Sequence, residues 1–479
     1  MNVILWVADS LRADHLSVYG YKRNASPHLD TLAQDSVVFE RAYAQATWTK
    51  PSAGTLFTGM YPVVHGARSF DHGLCPDVPR LPAILGRAGL KTGVFSGIGQ
   101  LAAASGFDVG VDHFVQIWEK EPYASGRRSR RLVTATEVRD EAERWMAQQV
   151  AAQTPFLAVL WTIDTHVPFE IDRVLQRFPD LVAADDRFAI DTMQGIWAAA
   201  KREHLEAILS AYDAAIMDTD AEIGHLVAFL KDKGIYDDTL LVVLADHGEV
   251  FNEHSRGQHS SLRHLFRFAS KLPGIRDIVQ RYRFTNPHGW LGHLDIPPYD
   301  EVLRVPLLMK FPRGQWRGRR EQGVVQLVDL PPTILDLYND QQSADQMQGR
   351  SILPVLRGEQ SDTTDYTFSD SQTRLNRVRY LSVQQGDWKL IRPIHPDADW
   401  RRRLRDVEAW QRLLMPAEIL MNVSNESIDQ KRNEPDRYEH LRQVLDCWLA
   451  DNDRLAGADT FMVVEDEQTR EHLVGLGYL

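Results

Sequence analysis

Cysteine is scarce in this sequence: two residues in 479, Cys75 and Cys447, far apart along the chain. That excludes a disulfide framework and a cysteine-rich zinc site, and leaves both as ordinary thiols. Net positive charge is also missing. Lys and Arg number 54 against 66 Asp and Glu, a formal charge of -12, which argues against a nucleic-acid binder, because phosphate backbones are held mainly by clustered Lys and Arg. No apolar run reaches the length of a membrane span, and no internal repeat or low-complexity segment occurs. The opening MNVILWVADS enters an apolar run with neither a basic leader nor a small-residue cleavage site, from which a soluble, cytoplasmic protein is expected.

What is present is enough apolar residue, 43%, for one large core and a second module. Short Val-, Leu- and Ile-rich runs (NVILWVAD, TGVFSG, FLAVLWTIDTH, TLLVVLADHGE) alternate with segments whose apolar residues recur every three or four positions, such as SPHLDTLAQDS, RLPAILGRAGL and TATEVRDEAERWMAQQVAA. This alternation predicts an α/β fold with a mostly parallel central sheet flanked by helices. In such sheets ligands collect beyond the carboxyl ends of the strands. There stand Asp9, then Asp164 with His166, then Asp246 with His247. One Asp after a strand commonly caps a helix or turns the chain; together, two carboxylates and an imidazole suit a divalent cation, with Mg, Mn, Ca and Zn all compatible.

The stretch ATWTKPSAGTLFTGMYP puts hydroxyls and a cation ahead of a short helix. Pro51 suits the first turn of a helix running through PSAGTLFT and stopped by Gly59. Thr49 either caps that helix or holds its hydroxyl at the positive end of the dipole, where a transferred anionic group is stabilised. A threonine hydroxyl is a poor nucleophile until metal coordination lowers its pKa, after which it can attack phosphorus or sulfur. Lys50 either neutralises a non-bridging oxygen or stays solvated.

At these residues the sequence resembles the sulfatase-like branch of the alkaline phosphatase superfamily, over almost the whole chain. VADSLRADHLSVYGY is similar to its first metal-binding strand end, PSAGTLFTGMYPVVHG to its nucleophile helix, IDTHVPF to its histidine-and-proline loop and GIYDDTLLVVLADHGE to its second metal-binding strand. YDEVLRVPLLMKFP, VDLPPTILDL and GRSILPVL match later landmarks. The resemblance implies an alkaline phosphatase-like catalytic domain over 1–360 and a smaller C-terminal α+β subdomain over 361–479. It implies one metal held by Asp9, Thr49, Asp246 and His247, with Thr49 also the nucleophile and His166 contacting the ester or protonating its leaving group. A further catalytic histidine or lysine is implied after DHGE; His293, in its Gly-His context ahead of Tyr-Asp-Glu, is taken as catalytic, and His259 remains as a substrate-binding candidate. Ser10 stands where many sulfatases carry a second acidic ligand. Asp164 and His166 are too close together for a full second metal site.

Sulfatases of this family begin the nucleophile motif with a cysteine or serine that is oxidised to formylglycine, followed by a proline and an arginine. Here the motif reads Thr49, Lys50, Pro51, Ser52, Ala53. Threonine cannot be oxidised to an aldehyde, because its β-carbon carries a methyl group. A threonine ester must then be cleaved by attack at the central atom, which suits phosphorus better than sulfur. The expectation is a metal-dependent hydrolase or transferase of phosphate esters, acting on a small-molecule or glycan- or lipid-linked anionic ester. The alternatives are a sulfatase using unmodified Thr49 and a non-catalytic binding protein that retains the fold. Residues 258–292 interrupt the family pattern with a basic segment interleaved with Leu, Phe and Ile. It reads either as a lid with peripheral membrane contact or as a packed helical excursion with a solvated basic face.

Overall fold

A computed structural model of the chain describes residues 1–119, 132–167, 169, 205–251, 253, 291–293, 296–360, 364–372, 379–394, 418–423, 429–456, 463 and 469. Its strands, in chain order, begin with β1 (Asn2–Ala8), β2 (Val37–Tyr43), β3 (Lys91–Ser96), β4 (His113–Gln116), β5 (Phe156–Thr162) and β6 (Thr239–Leu244). They continue with β7 (Val250–Phe251), β8 (Leu291–Gly292), β9 (Arg304–Val305), β10 (Leu307–Lys310) and β11 (Arg320–Gln326). The main sheet runs β11-β2-β10-β6-β1-β5-β3-β4. β1 lies parallel between β5 and β6, and the outer pairs β5–β3, β3–β4 and β11–β2 are also parallel. The run NVILWVA is apolar rather than alternating because both faces of β1 are covered, as in parallel sheets generally.

The expected mostly parallel architecture therefore forms, with one exception at its middle. β10 is antiparallel to both β2 and β6, and β9 pairs antiparallel with β2.

Six helices surround this sheet among the described residues used below: α1 (Pro27–Ala33), α2 (Thr49–Thr58), α3 (Pro62–His65), α4 (Leu81–Arg87), α5 (Ala135–Ala151) and α6 (Leu205–Asp232). α5 begins at a reciprocal cap, in which Glu137 N–H donates to the Thr134 hydroxyl and Thr134 N–H to the Glu137 carboxylate at 2.9 Å. α2 is buried at every position, as is the single turn of α3 that follows it. Its small residues let it sit inside the core, and Gly59 closes it in a left-handed conformation (φ 65).

A second sheet of β12 (Thr367–Gln372), β13 (Arg379–Gln385), β14 (Trp388–Ile394) and β15 (Ile419–Asn422) is antiparallel throughout. Helix α7 (Pro435–Leu455) packs Leu441, Leu445 and Trp448 on it, in one apolar cluster with Met60, Tyr61, Val63 and Val64 from the exit of α2. β12 also holds the entrance of α2. Asp370 N–H donates to the Gln45 carbonyl at 2.8 Å, Thr47 and Ser371 share a hydroxyl hydrogen bond at 2.6 Å, and Trp48 Nε1–H donates to the Gln372 carbonyl at 2.9 Å. The C-terminal sheet thus grips both ends of the helix that carries Thr49.

Of the basic segment 258–292, only Leu291 and Gly292 are among the described residues, as strand β8 paired with β7. The lid and membrane-contact reading, and His259, lie outside them. No described helix is long and apolar enough to cross a membrane.

Candidate active site

Strand register brings the ligand candidates to one height. Val7 pairs with Leu244, so Asp9 and Asp246, each two residues further on, emerge side by side at the carboxyl edge. Asp9, Asp246 and His247 are fully buried and offer ligand atoms within 4.8 Å of one another. Thr49 joins them: its Oγ1 lies 3.1 Å from Asp9 Oδ2 and 3.3 Å from His247 Nε2. The helix starts at Thr49 itself, with Trp48 in the extended conformation before it. Trp48 is fixed by its indole, through the Gln372 carbonyl and the Phe70 ring at 4.8 Å. The threonine hydroxyl consequently faces the cluster rather than serving as a cap.

These residues suit a divalent cation. His247 Nδ1 faces the Gly248 carbonyl at 2.8 Å, which can only accept, so Nδ1 carries the proton and Nε2 presents its lone pair to the carboxylates. Nε2 lies 3.5 Å from Asp9 Oδ1 and 3.4 Å from Asp246 Oδ2. Burial lowers the His247 pKa to about 3, reinforced by His293, which keeps the ring neutral and able to ligate. Asp246 Oδ2 has no hydrogen-bond donor despite complete burial, and burial, with Asp9 beside it, pushes this carboxyl well above its ordinary range. Two adjoining buried carboxylates with an acceptor left over call for a positive charge between them.

The rest of the donor set is engaged. Ser10 adopts a left-handed backbone (φ 61), from which its N–H donates to Asp246 Oδ1 at 3.2 Å and its hydroxyl to Asp9 Oδ1 at 3.0 Å. Tyr212 stabilises that conformation by donating to the Ser10 carbonyl (2.7 Å) while accepting Arg12 N–H (2.8 Å). Trp161 Nε1–H donates to Asp9 Oδ2 at 3.3 Å.

His166 and His293 both reach the site and are buried. Ring centroids are 4.9 Å apart between these two and 4.4 Å between His293 and His247. Asp164 does not reach it: its Oδ2 accepts the Ala135 N–H at 2.7 Å, at the start of α5. Lys50 is buried rather than solvated, because its ammonium is drawn inward to the Phe70 carbonyl at 2.5 Å, while its N–H donates to Gln100 Oε1 at 3.0 Å.

Sequence reasoning passed over Glu249. This side chain is 1% exposed, with Oε2 3.0 Å from His293 Nδ1, and burial pushes its pKa up to about 7. The only sequence signal was a charged residue ending the otherwise explained DHGE run.

The chain is similar to known proteins over most of its length. A family model described as sulfatase matches residues 1–340, and one described as N-sulphoglucosamine sulphohydrolase, C-terminal, matches 288–409. Among curated proteins, the N-acetylglucosamine-6-O-sulfatase of Bacteroides thetaiotaomicron is 21% identical over 94% of this chain and 90% of its own length. Mouse (Mus musculus) iduronate 2-sulfatase is 24% identical over 70% and 68%. Among solved structures, the phosphonate monoester hydrolase of Agrobacterium radiobacter superposes with a TM-score of 0.66 at 18% identity, covering 94% of this chain and 96% of that one.

Proposed function

Because the chain belongs to the sulfatase family, a member of the alkaline phosphatase-like hydrolases, we propose that it cleaves or transfers phosphate esters with Thr49, unmodified, as nucleophile. The observation that carries this reading is the place of Thr49 Oγ1, within 3.3 Å of both Asp9 and His247 at the first residue of a buried helix. Asp9, Asp246, His247 and Thr49 would hold one divalent cation. Bound there, it would lower the pKa of the Thr49 hydroxyl and offset charge on the transferred group.

The chain's own groups supply the rest. In the first step Thr49 Oγ–H gives its proton to His166 or His293, Oγ bonds to phosphorus as the bond to the alcohol oxygen breaks, and that oxygen leaves with the proton the histidine took up. The amino end of α2 favours the negative charge on the group in transit. In the second step water or an acceptor alcohol bonds to phosphorus and Thr49 Oγ is released. A threonyl sulfate would need attack on sulfur in that step, since no aldehyde hydrate is present to expel sulfate. The fold itself accommodates both sulfatases and a phosphonate monoester hydrolase, so the choice rests on Thr49. The sulfatase reading stays in play through the names of the curated relatives.

A panel of aryl phosphate monoesters, diesters, phosphonates and sulfates decides, with metal analysis, on the native protein and on Thr49→Ala. Phosphoester or phosphonate turnover above sulfate turnover, lost in the variant, is expected. Sulfate turnover above all phosphoesters would overturn the proposal, and undiminished activity in the variant would remove Thr49 from the reaction.

A further inference from the structure

We propose that Gln100 is a substrate-binding residue whose side-chain nitrogen donates to a non-bridging oxygen of the phosphoryl group that Thr49 attacks. The inference deepens the reading of Thr49 given above and rests on it. Gln100 is fully buried, its Oε1 accepts the Lys50 N–H at 3.0 Å, and its Nε2 has no acceptor among the described residues. The neighbour tells the two ends of the carboxamide apart: a backbone N–H can only donate, so the oxygen faces Lys50 and the NH2 is the end left over. A buried NH2 without an acceptor opposes folding. An oxyanion at the amino end of α2, beside the very amide that Gln100 holds, supplies the acceptor.

The loop that carries Gln100 is fixed against the reaction centre. It leaves β3 beside β5, where Ser96 pairs with Trp161. Gly97 N–H donates to the Trp161 carbonyl at 3.0 Å, and a β-carbon on Gly97 would stand 3.1 Å from that oxygen. Ser96 Oγ then donates to the Ile98 carbonyl at 2.8 Å and accepts the Ile98 N–H at 3.2 Å, while Leu101 N–H returns to the Ile98 carbonyl at 3.3 Å. Trp161 in turn gives its indole N–H to Asp9 Oδ2, the oxygen that also accepts from Thr49 Oγ1. Gln100 is thus tied to the nucleophile twice, through Trp161 and Asp9 and through the peptide N–H that follows Thr49. Thr49, Asp9, Asp246 and His247 are as fully buried as Gln100, so Nε2 is no more closed off than the reacting atoms. The Lys50 ammonium is committed to the Phe70 carbonyl at 2.5 Å; the donor beside the Lys50 N–H is the uncharged carboxamide.

The test compares the metal-loaded native protein with Gln100→Ala and Gln100→Glu, with metal content and melting midpoint measured in each. Gln100→Glu keeps an oxygen for the Lys50 N–H and turns the donor into a second acceptor, whereas Gln100→Ala removes both. Binding of inorganic phosphate, followed by calorimetry, needs no turnover. Gln100→Ala is expected to weaken it about 10-fold, and Gln100→Glu about 100-fold, because a carboxylate then faces the anion. The kcat/KM for the 4-nitrophenyl ester that the native enzyme turns over best should fall in the same order, by about 100-fold in Gln100→Ala, the usual scale for one donor to a developing oxyanion. Metal content should not change. Gln100→Glu binding phosphate as well as or better than Gln100→Ala would overturn the proposal, since a residue needed only to hold Lys50 gives that order. Loss of the metal in both variants would overturn it as well, by making Gln100 a support of the ligands. If Thr49→Ala stays fully active while phosphate binding still falls from native to Gln100→Ala to Gln100→Glu, the Thr49 reading alone is lost and the contact of Gln100 with the oxyanion stands.

Discussion

At the scale of single residues, the site is organised by what each buried polar atom lacks or has. Asp246 is the clearest case: burial and the neighbouring Asp9 oppose its charge, and one oxygen has no donor. Asp246→Asn should accordingly raise the thermal midpoint of the metal-free protein while weakening metal binding more than about 100-fold, beyond the usual cost of an outer contact. Calorimetric titration and melting curves with and without metal check both signs. Thr49→Ala should leave the fold in place, because the lost contacts are few, but reduce kcat/KM by at least about 10³-fold. Asp9, Asp246 and His247 were legible because each follows an apolar strand run, with His166 close behind another, and Thr49 because it stands ahead of a helix, whereas His293 was singled out only by the family resemblance. Glu249 was not. Its partner lies 44 positions away across the basic segment, and neighbourhood in sequence says nothing about a pairing made by a return of the chain. The solvated alternative for Lys50 fails for a related reason: only the fold supplies the Phe70 carbonyl that draws its ammonium inward.

At the scale of elements, α2 is set by its neighbours on every side. His65, at the end of α3, lies across it, with Nε2 3.0 Å from the Pro51 carbonyl and Nδ1 accepting Ala67 N–H at 3.2 Å. A β-carbon on Gly54 would meet this ring at 2.4 Å. Replacing a mid-helix glycine by alanine ordinarily stabilises by about 1 kcal/mol, yet here the overlap with a pinned ring costs about 1–3 kcal/mol. Gly54→Ala is therefore expected to lower the urea midpoint and kcat together; a more stable, fully active variant would show that His65 yields. The sequence announced α2 through Pro51 and Gly59 and placed its start two residues late, since the extended conformation of Trp48 depends on a carbonyl from β12. It announced β1, β3, β5 and β6 through their apolar runs. Short β10 carried no comparable signal, and its antiparallel direction follows from pairing alone.

At the scale of the whole molecule, the two sheets meet around the helix that bears Thr49. Trp448 of α7 stacks on Phe368 at 4.9 Å and meets Tyr61 edge-on at 5.1 Å. Trp448→Ala should cost roughly 3–5 kcal/mol and also reduce kcat, although the side chain belongs to a different sheet layer from the metal ligands; denaturant melts and steady-state rates measure the two effects. Composition and alternation made the layered α/β plan readable, whereas the docking of β12 onto Gln45 and Thr47 depends on surfaces that exist only after both sheets have formed. The antiparallel β10 also bears on synthesis. Because it stands between β2 and β6, the strand that leads towards the helix of Thr49 and the strand that ends just before Asp246 and His247 are not joined by hydrogen-bond ladders until Leu307–Lys310 has emerged from the ribosome. A nascent chain halted earlier holds both halves of the reaction centre without the rung that joins them, and its exposed strand edges make it a natural client for chaperones.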